Sequence, residues 1–148
     1  MADWDRRLLD LAQYVSRWSK DPSTQMGAVI ADESHRVVGL GYNGFPRGIE
    51  DSDERYSNRH VKYALTVHCE MNALLNANKS VWGCTLYTWP LAPCERCAVH
   101  FIQAGIARAV APVISDPLRD RWDARLKIAT NLLVEAGVDV VTLVPWDA

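Results

Sequence analysis

Residues 85–113 have the sequence TLYTWPLAPCERCAVHFIQAGIARAVAPV, which predicts two strands joined through a loop and a helix. Gly105 marks the end of that helix, because glycine readily adopts the left-handed conformation that terminates helices. Two strands connected through a helix in one sheet are parallel and joined by a right-handed crossover. The segment therefore predicts an α/β fold with a partly parallel sheet. Its predicted elements are a strand from Thr85 to Thr88, a helix from Glu95 to Ala104 and a strand from Ile106 to Val113.

The rest of the chain extends this alternation in both directions. Hydrophobic periodicity predicts the order α-β-β-α-β-α-β-α-β, with helices on both faces of the sheet. Residues 32–35 predict a hairpin turn, whereas residues 49–60 are strongly charged without periodicity and predict a surface loop. The added elements are a helix over residues 4–18, strands from Gln25 to Ala31 and from Arg36 to Tyr42, a helix from His68 to about Asn78, a helix from Arg119 to Ala136 and a strand from Val138 to Leu143.

The first helix carries Trp4, Leu8, Leu11, Val15 and Trp18 on one face. Such spacing is typical of a helix that packs on a hydrophobic core. The two tryptophans are therefore expected to pack in the core and not to bind a ligand.

Two short segments carry ligands for a metal, H-C-E at residues 68–70 and P-C-E-R-C at residues 93–97. A catalytic zinc site uses three protein ligands and leaves one position open for water. His68, Cys94 and Cys97 can supply the three. Both segments lie at the predicted start of a helix, where free N–H groups and partial positive charge stabilise thiolates.

Glu70 is not needed as a ligand and lies close enough to His68 to reach a water in the open position. Zinc lowers the pKa of its bound water towards about 7. A neighbouring carboxylate can take the water proton and pass it to a leaving amine. The pattern H-x-E followed by P-C-x-x-C is the signature of zinc deaminases, so the sequence predicts hydrolytic deamination of an amino-substituted heterocycle.

Two other interpretations of the C-x-x-C segment are a structural zinc site and a redox pair. A structural site needs a fourth protein ligand, and neither Cys69 nor Cys84 belongs to a second C-x-x-C. A redox pair would leave the H-x-E segment unexplained. We expect Cys69 and Cys84 to be small buried hydrophobic residues.

Length and charge narrow the class of protein further. The chain of 148 residues is expected to form a single domain, residues 1–148. The net charge of −2 argues against binding a nucleic-acid backbone, so no nucleic-acid partner is expected. No apolar stretch approaches the length of a membrane span, and the N-terminal residues lack the order of a signal peptide. Cysteines placed as metal ligands favour a reducing compartment, so we expect a cytoplasmic protein without a membrane partner.

Seven segments distributed over the chain resemble one known family. The resemblance covers roughly residues 10–142 and is to the deoxycytidylate (dCMP) deaminases of the cytidine deaminase superfamily. The zinc signature indicates the superfamily, and the S-K-D-P and G-Y-N-G segments indicate the dCMP branch. The matching segments are Ser19-Lys20-Asp21-Pro22-Ser23-Thr24, Gly27-Ala28-Val29-Ile30, Gly41-Tyr42-Asn43-Gly44-Phe45-Pro46-Arg47-Gly48, Lys62-Tyr63, His68-Cys69-Glu70-Met71-Asn72-Ala73, Pro93-Cys94-Glu95-Arg96-Cys97-Ala98 and Ile102-Gln103-Ala104-Gly105-Ile106.

The resemblance implies a three-layer α-β-α fold around a five-stranded mixed sheet, and conversion of dCMP to dUMP with release of ammonia. It implies one catalytic Zn2+ held by His68, Cys94 and Cys97, with Glu70 as the proton shuttle and Asn43 as a contact to the nucleotide sugar. It also implies a homo-oligomer, a hexamer or a dimer, with dCTP and dTTP as possible effectors.

Two features differ from the family pattern. Cys69 stands where the family usually has alanine, and residues 87–93 form a connection that is longer by one residue and carries an extra Trp and Pro. Because this loop lines the base pocket in the superfamily, the difference bears on substrate choice. Trp89 is a candidate to stack on the base, and packing in the protein is the equal alternative.

Recognition of a monophosphate requires a cation near the 5′ side of the sugar. Arg47 and Lys62 flank the G-Y-N-G and H-x-E segments and are the candidates, although for each residue taken alone a solvated loop residue is the favoured interpretation. Asn43 has a structural alternative as well, because Asn before Gly is common in turns.

The leading prediction is a deaminase of dCMP. Alternatives in the same superfamily are deaminases of a modified deoxycytidylate, a nucleoside or a free base. A tRNA adenosine deaminase shares the zinc signature, but the negative charge and the G-Y-N-G segment argue against it. A non-catalytic nucleotide-binding regulator belongs to a different class, and Glu70 argues against it because binding alone needs no shuttle carboxylate.

Overall fold

The computed structural model describes residues 3–144, which form six helices and five strands. Within these residues no helix is both long enough and apolar enough to cross a lipid bilayer. In chain order the elements are α1 (Trp4–Ser16), β1 (Gly27–Ala31), β2 (Val37–Tyr42), α2 (Asp53–Ser57), α3 (Arg59–Leu65), α4 (Cys69–Leu75), β3 (Thr85–Trp89), α5 (Glu95–Ala104), β4 (Arg108–Pro112), α6 (Asp116–Glu135) and β5 (Asp139–Leu143).

All five strands belong to one mixed sheet with the order β2-β1-β3-β4-β5. Strand β1 is antiparallel to β2 and β3, whereas β3, β4 and β5 run parallel. A tight turn suffices to join β1 to the antiparallel β2, while the parallel strands need the long crossovers supplied by α5 and α6. The structure therefore confirms the predicted α/β fold and its mixed sheet.

Helices cover both faces of the sheet, as predicted, and each face has its own hydrophobic cluster. Helix α1 packs on one face through Leu8, Leu9 and Ala12, and α4, α5 and α6 pack on the other. Cys69 and Cys84 are both buried in the cluster beneath α4, α5 and α6, which confirms that they are buried hydrophobic residues.

Helix α4 lies close to β2 because two positions of that strand are glycines. A Cβ at Gly39 would lie 2.4 Å from the carbonyl oxygen of Ala73, and a Cβ at Gly41 would lie 2.5 Å from the amide nitrogen of Ala73. Real Cβ atoms do not approach backbone so closely, so only glycine allows this packing. The close approach places the first turn of α4 directly above the sheet.

The expectation that Trp4 and Trp18 pack in the core is wrong, since they are 38% and 48% exposed. Trp4 is the first residue of α1, and its ring stacks on His35 with the centroids 5.0 Å apart. Trp18 lies beyond the end of the helix at Ser16, so helical spacing no longer governs its direction. The ring of Trp18 instead packs edge-on against the ring of Tyr42.

The predicted surface loop over residues 49–60 contains α2 and the start of α3. Polar side chains begin both helices: Ser52 accepts from the backbone N–H of Arg55, and Asn58 accepts from that of Val61. These two helices are stabilised at their starts by polar caps and are too short to show the hydrophobic periodicity of longer helices. The hydrophobic pattern of residues 49–60 therefore did not predict them.

Helix α6 begins at Asp116 and not at the predicted Arg119. Ser115 occupies its N-cap position, and a proline lies in its first turn, where the missing N–H is not needed. Helix α5 has the predicted bounds, and Gly105 ends it with φ of +85°.

Candidate functional site

The H-x-E and C-x-x-C segments lie at the starts of neighbouring helices on one face of the sheet, as predicted. His68 is the N-cap residue of α4 and Cys94 is the N-cap residue of α5. Neither side chain caps its own helix, so both are free to point at a shared ligand. Cys97 lies one turn into α5.

The three predicted metal ligands converge. The Sγ atoms of Cys94 and Cys97 lie 3.5 and 3.3 Å from Nδ1 of His68, and the ligand atoms of all three residues are within 4.8 Å of one another. Zinc bond lengths of about 2.3 Å to sulfur and about 2.0 Å to nitrogen place tetrahedral S and N ligands about 3.5 Å apart. The donor set and its spacing therefore fit a zinc ion.

The three side chains interact electrostatically, and without a cation only one of the two thiols is shifted towards the thiolate form. A hydrogen bond from Cys97, followed by one from His68, lowers the pKa of the Cys94 thiol to about 4. The pKa of His68 is raised, chiefly by its hydrogen bond to Cys94. The pKa of Cys97 is raised by its hydrogen bond to Cys94, because a second thiolate so close is unfavourable without a cation.

Glu70 lies in the first turn of α4 and is buried. Burial raises the pKa of its carboxyl group, although the thiol of Cys69 opposes the shift by donating a hydrogen bond to Oε1 at 2.8 Å. The charge of Glu70 also acts on His68 and Cys97. A buried carboxyl group with a raised pKa is suited to accept and return protons near neutral pH.

Helix α6 contributes a cation beside this site that the sequence did not indicate. Arg125 forms an ion pair with Glu95, in the first turn of α5, at 2.9 Å. The two cysteines contribute to the raised pKa of Arg125 through their charge, after the hydrogen bond to Glu95. Arg125 was not predicted because it is one of several arginines on a helix distant in sequence from the signature.

The predicted sugar contact, Asn43, belongs to a buried polar cluster with Asp21 and Lys62. The ammonium group of Lys62 donates to Asp21 Oδ1 at 2.8 Å, and both side chains are largely buried. Asn43 is 4% exposed, and its amide nitrogen donates to Asp21 Oδ2 at 3.4 Å. The sequence indicates Asp21 only as part of a matching segment, because spacing alone does not show which side chains it contacts.

A short backbone bridge connects this cluster to the metal ligands. Gly44 and Val67 exchange two backbone hydrogen bonds, of 3.2 and 2.8 Å. Asn43 precedes the first of these residues and His68 follows the second. The bridge thus places Asn43 beside the segment that carries the histidine ligand.

The other two predicted substrate contacts have different surroundings. Arg47 is exposed in the loop that follows β2. Trp89 packs against the hydrophobic cluster of α1, on the face of the sheet opposite to α4 and α5. Contacts of Asn43, Arg47, Lys62 and Trp89 with a substrate remain predictions.

Comparisons with known proteins agree with the geometry. A sequence model of the cytidine and deoxycytidylate deaminase zinc-binding region matches residues 2–112. The chain is 37% identical over 147 residues to an uncharacterized deaminase in the luxG 3′ region of Aliivibrio fischeri, covering 99% of this chain and 97% of that protein. It is 35% identical over 150 residues to the deoxycytidylate deaminase of Homo sapiens, covering 97% and 81%.

Solved structures share the fold. The dCMP deaminase of cyanophage S-TIM5 in its apo form matches with a TM-score of 0.72 and 21% identity, over 94% of this chain and 96% of that chain. The same enzyme in complex with dCMP and dUMP also matches with a TM-score of 0.72, over 91% and 93%.

Proposed function

Because the chain belongs to the cytidine and deoxycytidylate deaminase zinc-binding family, we propose that it deaminates dCMP hydrolytically to dUMP with release of ammonia. The observation that carries the proposal is the convergence of His68, Cys94 and Cys97 beside the buried carboxyl group of Glu70. The human relative, which is a deoxycytidylate deaminase, supports dCMP as the substrate.

His68, Cys94 and Cys97 are the residues that would hold Zn2+. When bound, zinc supplies a Lewis acid that lowers the pKa of water towards neutrality. The two helix N-termini add partial positive charge at the thiolates, which stabilises the deprotonated ligand set.

Glu70 carries the proton transfers in this proposal. Its carboxylate takes a proton from the attacking water and gives a proton to N3 of the cytosine ring. As the water oxygen bonds to C4, Glu70 is again a carboxylate, and it takes the remaining proton from the new C4 hydroxyl group. It passes this proton to the amino group, the C4–N bond breaks as the C4 carbonyl forms, and one water is consumed for each ammonia released. The buried position and raised pKa of Glu70 support this role, because one group must serve as base and as acid at the same pH.

The contacts to the nucleotide are part of the proposal. Asn43 would hold the sugar, and Arg47, exposed at the end of the segment that contains Asn43, would bind the 5′-phosphate. Lys62 would contribute positive charge from its pair with Asp21. Trp89 packs on the face of the sheet opposite to α4 and α5. Of the four candidate contacts, it would therefore contribute least directly to binding the base.

A homo-oligomer and regulation by dCTP and dTTP belong to the same proposal on the basis of the resemblance, and a cytoplasmic location belongs to it on the basis of cysteines placed as metal ligands. They are independent of the chemistry at Glu70.

One experiment tests the reaction. The zinc-loaded protein is incubated separately with dCMP, CMP, deoxycytidine, cytosine and dCTP, and ammonia release is followed. We expect dCMP to be turned over at least about tenfold more efficiently than deoxycytidine, because one charge-assisted contact suffices for that ratio. A better rate with the nucleoside or with cytosine would overturn the choice of dCMP, and no ammonia from any of the five would overturn the activity.

A further inference from the structure

We propose that Asp21 is a positioning residue that fixes the side chain of Asn43 as a hydrogen-bond acceptor, so that the site selects a hydroxyl group of the ligand at this point. The inference rests on the proposed function, because it names the group of the nucleotide that Asn43 would accept from. It concerns the S-K-D-P segment, whose aspartate has no part in the zinc chemistry.

Asp21 is held in a single orientation by three donors. Its Oδ1 accepts from the backbone N–H groups of Ser23 and Thr24 at 2.8 and 3.2 Å, and from the ammonium group of Lys62 at 2.8 Å. The Lys62 side chain is 11% exposed and that of Asp21 is 7% exposed. A buried carboxylate with a cation and two amides on one oxygen cannot rotate without losing all three contacts.

The other oxygen of Asp21 faces the amide of Asn43. Asn43 Nδ2 donates to Asp21 Oδ2 at 3.4 Å and to the carbonyl oxygen of Thr24 at 3.0 Å. Asn43 Oδ1 accepts from the backbone N–H of Met26 at 2.9 Å. Rotating the amide by half a turn would direct Oδ1 at a carboxylate and a carbonyl and would direct Nδ2 at an N–H group.

The remaining hydrogen-bonding capacity of Asn43 follows by counting. A side-chain amide has two donor hydrogens and two acceptor lone pairs. Both hydrogens are used, and within residues 3–144 Met26 is the donor that uses one lone pair. What is left is one acceptor site on Oδ1, so a ligand must present a donor to it.

This restriction identifies the ligand group. A phosphate oxygen accepts hydrogen bonds and is repelled by a second acceptor, whereas a hydroxyl group donates. In dCMP the sugar carries one free hydroxyl group, at the 3′ carbon. The other donor of dCMP, the 4-amino group, is the group that leaves beside Glu70 in the proposed reaction, so the geometry assigns Asn43 to the 3′-hydroxyl and leaves the phosphate to a cation elsewhere.

The first test uses the wild-type protein and three nucleotides that differ only at the 3′ carbon: dCMP, its 3′-deoxy analogue and its 3′-fluoro analogue. Fluorine approximates the size of a hydroxyl group but donates no hydrogen bond. We expect kcat/KM to be about fivefold higher for dCMP than for the 3′-deoxy analogue, within the range of one neutral hydrogen bond. The 3′-fluoro analogue should be no better than the 3′-deoxy one; equal rates for dCMP and the 3′-fluoro analogue would overturn the assignment.

The second test substitutes the positioning residue, Asp21. In Asp21→Asn the preference of kcat/KM for dCMP over the 3′-deoxy analogue should fall to about one, mainly through KM for dCMP, because the Asn43 amide can then rotate. Asp32→Asn is the matched control: Asp32 also accepts from two backbone amides and from a lysine, Lys79, but at the hairpin turn at the far end of β1. A preference that survives in Asp21→Asn, or is lost in Asp32→Asn, would overturn the role of Asp21.

A third readout does not need activity. The Met26 amide proton, which Asn43 accepts, should exchange with solvent at least about tenfold faster in Asp21→Asn than in the wild type or in Asp32→Asn. If no cytosine nucleotide is deaminated, the proposed function fails and this exchange rate alone decides the positioning role. If Asp21→Asn does not fold, Lys62→Met takes its place in the same two measurements, because it removes the ammonium group that holds Oδ1 of Asp21. An unchanged nucleotide preference together with an unchanged Met26 exchange rate in that variant would overturn the positioning role of Asp21.

Discussion

The thiol of Cys69 donates a hydrogen bond to Oε1 of Glu70, so a residue inside the H-x-E signature holds the carboxyl group of its neighbour. An alanine at this position would have no such donor. A thiol is a weak donor, and the bond is worth less than one from a hydroxyl or amide group.

Cys69→Ala should lower kcat about threefold to tenfold, because Glu70 loses a contact of about 1 kcal/mol that orients it. KM and zinc content should stay the same, since the hydrogen bond of the Cys69 side chain goes to Glu70 and not to a candidate metal ligand. The kcat of Cys69→Ser should fall less, because the serine hydroxyl group can still donate a hydrogen bond to Glu70. Steady-state kinetics with metal analysis checks this; an unchanged kcat in Cys69→Ala would show that the hydrogen bond does not matter.

Glu70→Gln removes the carboxyl group that moves protons in the proposed mechanism and keeps the size of the side chain. We expect activity to fall by at least about 10²–10⁴-fold, the usual range for general acid–base catalysis. The fold and the zinc content should not change, as measured by circular dichroism and metal analysis. Activity within a few-fold of the wild type would rule out the proton shuttle.

The sequence identified the zinc ligands because they follow a fixed local spacing, and the structure brings those three residues together. It could not show the contacts of Asp21 or Arg125, because each residue pairs with a side chain from a segment that is distant in the chain. Trp89 illustrates the opposite case: its position next to the cysteine loop suggested the base pocket, but strand alternation directs its side chain to the other face.

At the scale of secondary-structure elements, the packing of α4 on β2 depends on glycine. Gly41→Ala would place a methyl group 2.5 Å from the backbone of α4, so we expect the free energy of unfolding to fall by about 1–3 kcal/mol. Gly44→Ala is the control, since no atom lies within 4 Å of the added Cβ. Urea denaturation of both variants measures the difference, and equal stability of the two would contradict the packing argument.

Helix α1 is tied to β3 and β4 by Asp5. Its carboxylate accepts two hydrogen bonds from Arg108, at 3.0 and 2.8 Å, and one from Tyr87 at 2.8 Å. The hydrogen bond from Arg108 is the largest cause that lowers the pKa of Asp5 below its usual value. A carboxyl group with a lowered pKa in the folded state stabilises the protein above its unfolded pKa of 3.8, and this contribution is lost as the pH falls further.

Asp5→Asn should therefore lower the free energy of unfolding by about 1 kcal/mol at pH 7, a small value because the pair is partly exposed to solvent. The difference from the wild type should shrink below pH 3.8 and vanish when Asp5 is protonated in both states. Denaturation curves at pH 7, 5 and 3 test this. A difference that grows on acidification would contradict the sign.

Elements with their own local signals were predictable. Helix α5 has a proline-rich loop before it and Gly105 after it, and its bounds agree with the prediction. Helices α2 and α3 are too short to show a hydrophobic period and depend on polar caps and on the stacking of Tyr56 on Phe45, at 4.2 Å, which only the folded chain provides.

On the scale of the whole molecule, zinc should contribute to stability because its ligands come from two different helices. Removal of the metal by a chelator should lower Tm by several degrees, since binding free energy adds to folding free energy. His68→Ala should show the lowered Tm without chelator and should bind no zinc, whereas Cys84→Ala should keep the metal. Calorimetry with metal analysis checks this, and full zinc retention in both His68→Ala and Cys94→Ala would refute the ligand set.

The placement of His68 and Cys94 on either side of β3 in the chain also sets an order in time. Each residue begins its own helix, and β3, which lies between them in the chain, pairs with β1 in the folded sheet. We expect the two helix starts to come together only after this pairing has formed. During refolding, helices α4 and α5 can therefore form before the zinc-binding site is assembled. In a refolding experiment followed by a zinc-sensitive dye, metal uptake should lag behind the helical signal, and the lag should report the moment at which the sheet closes.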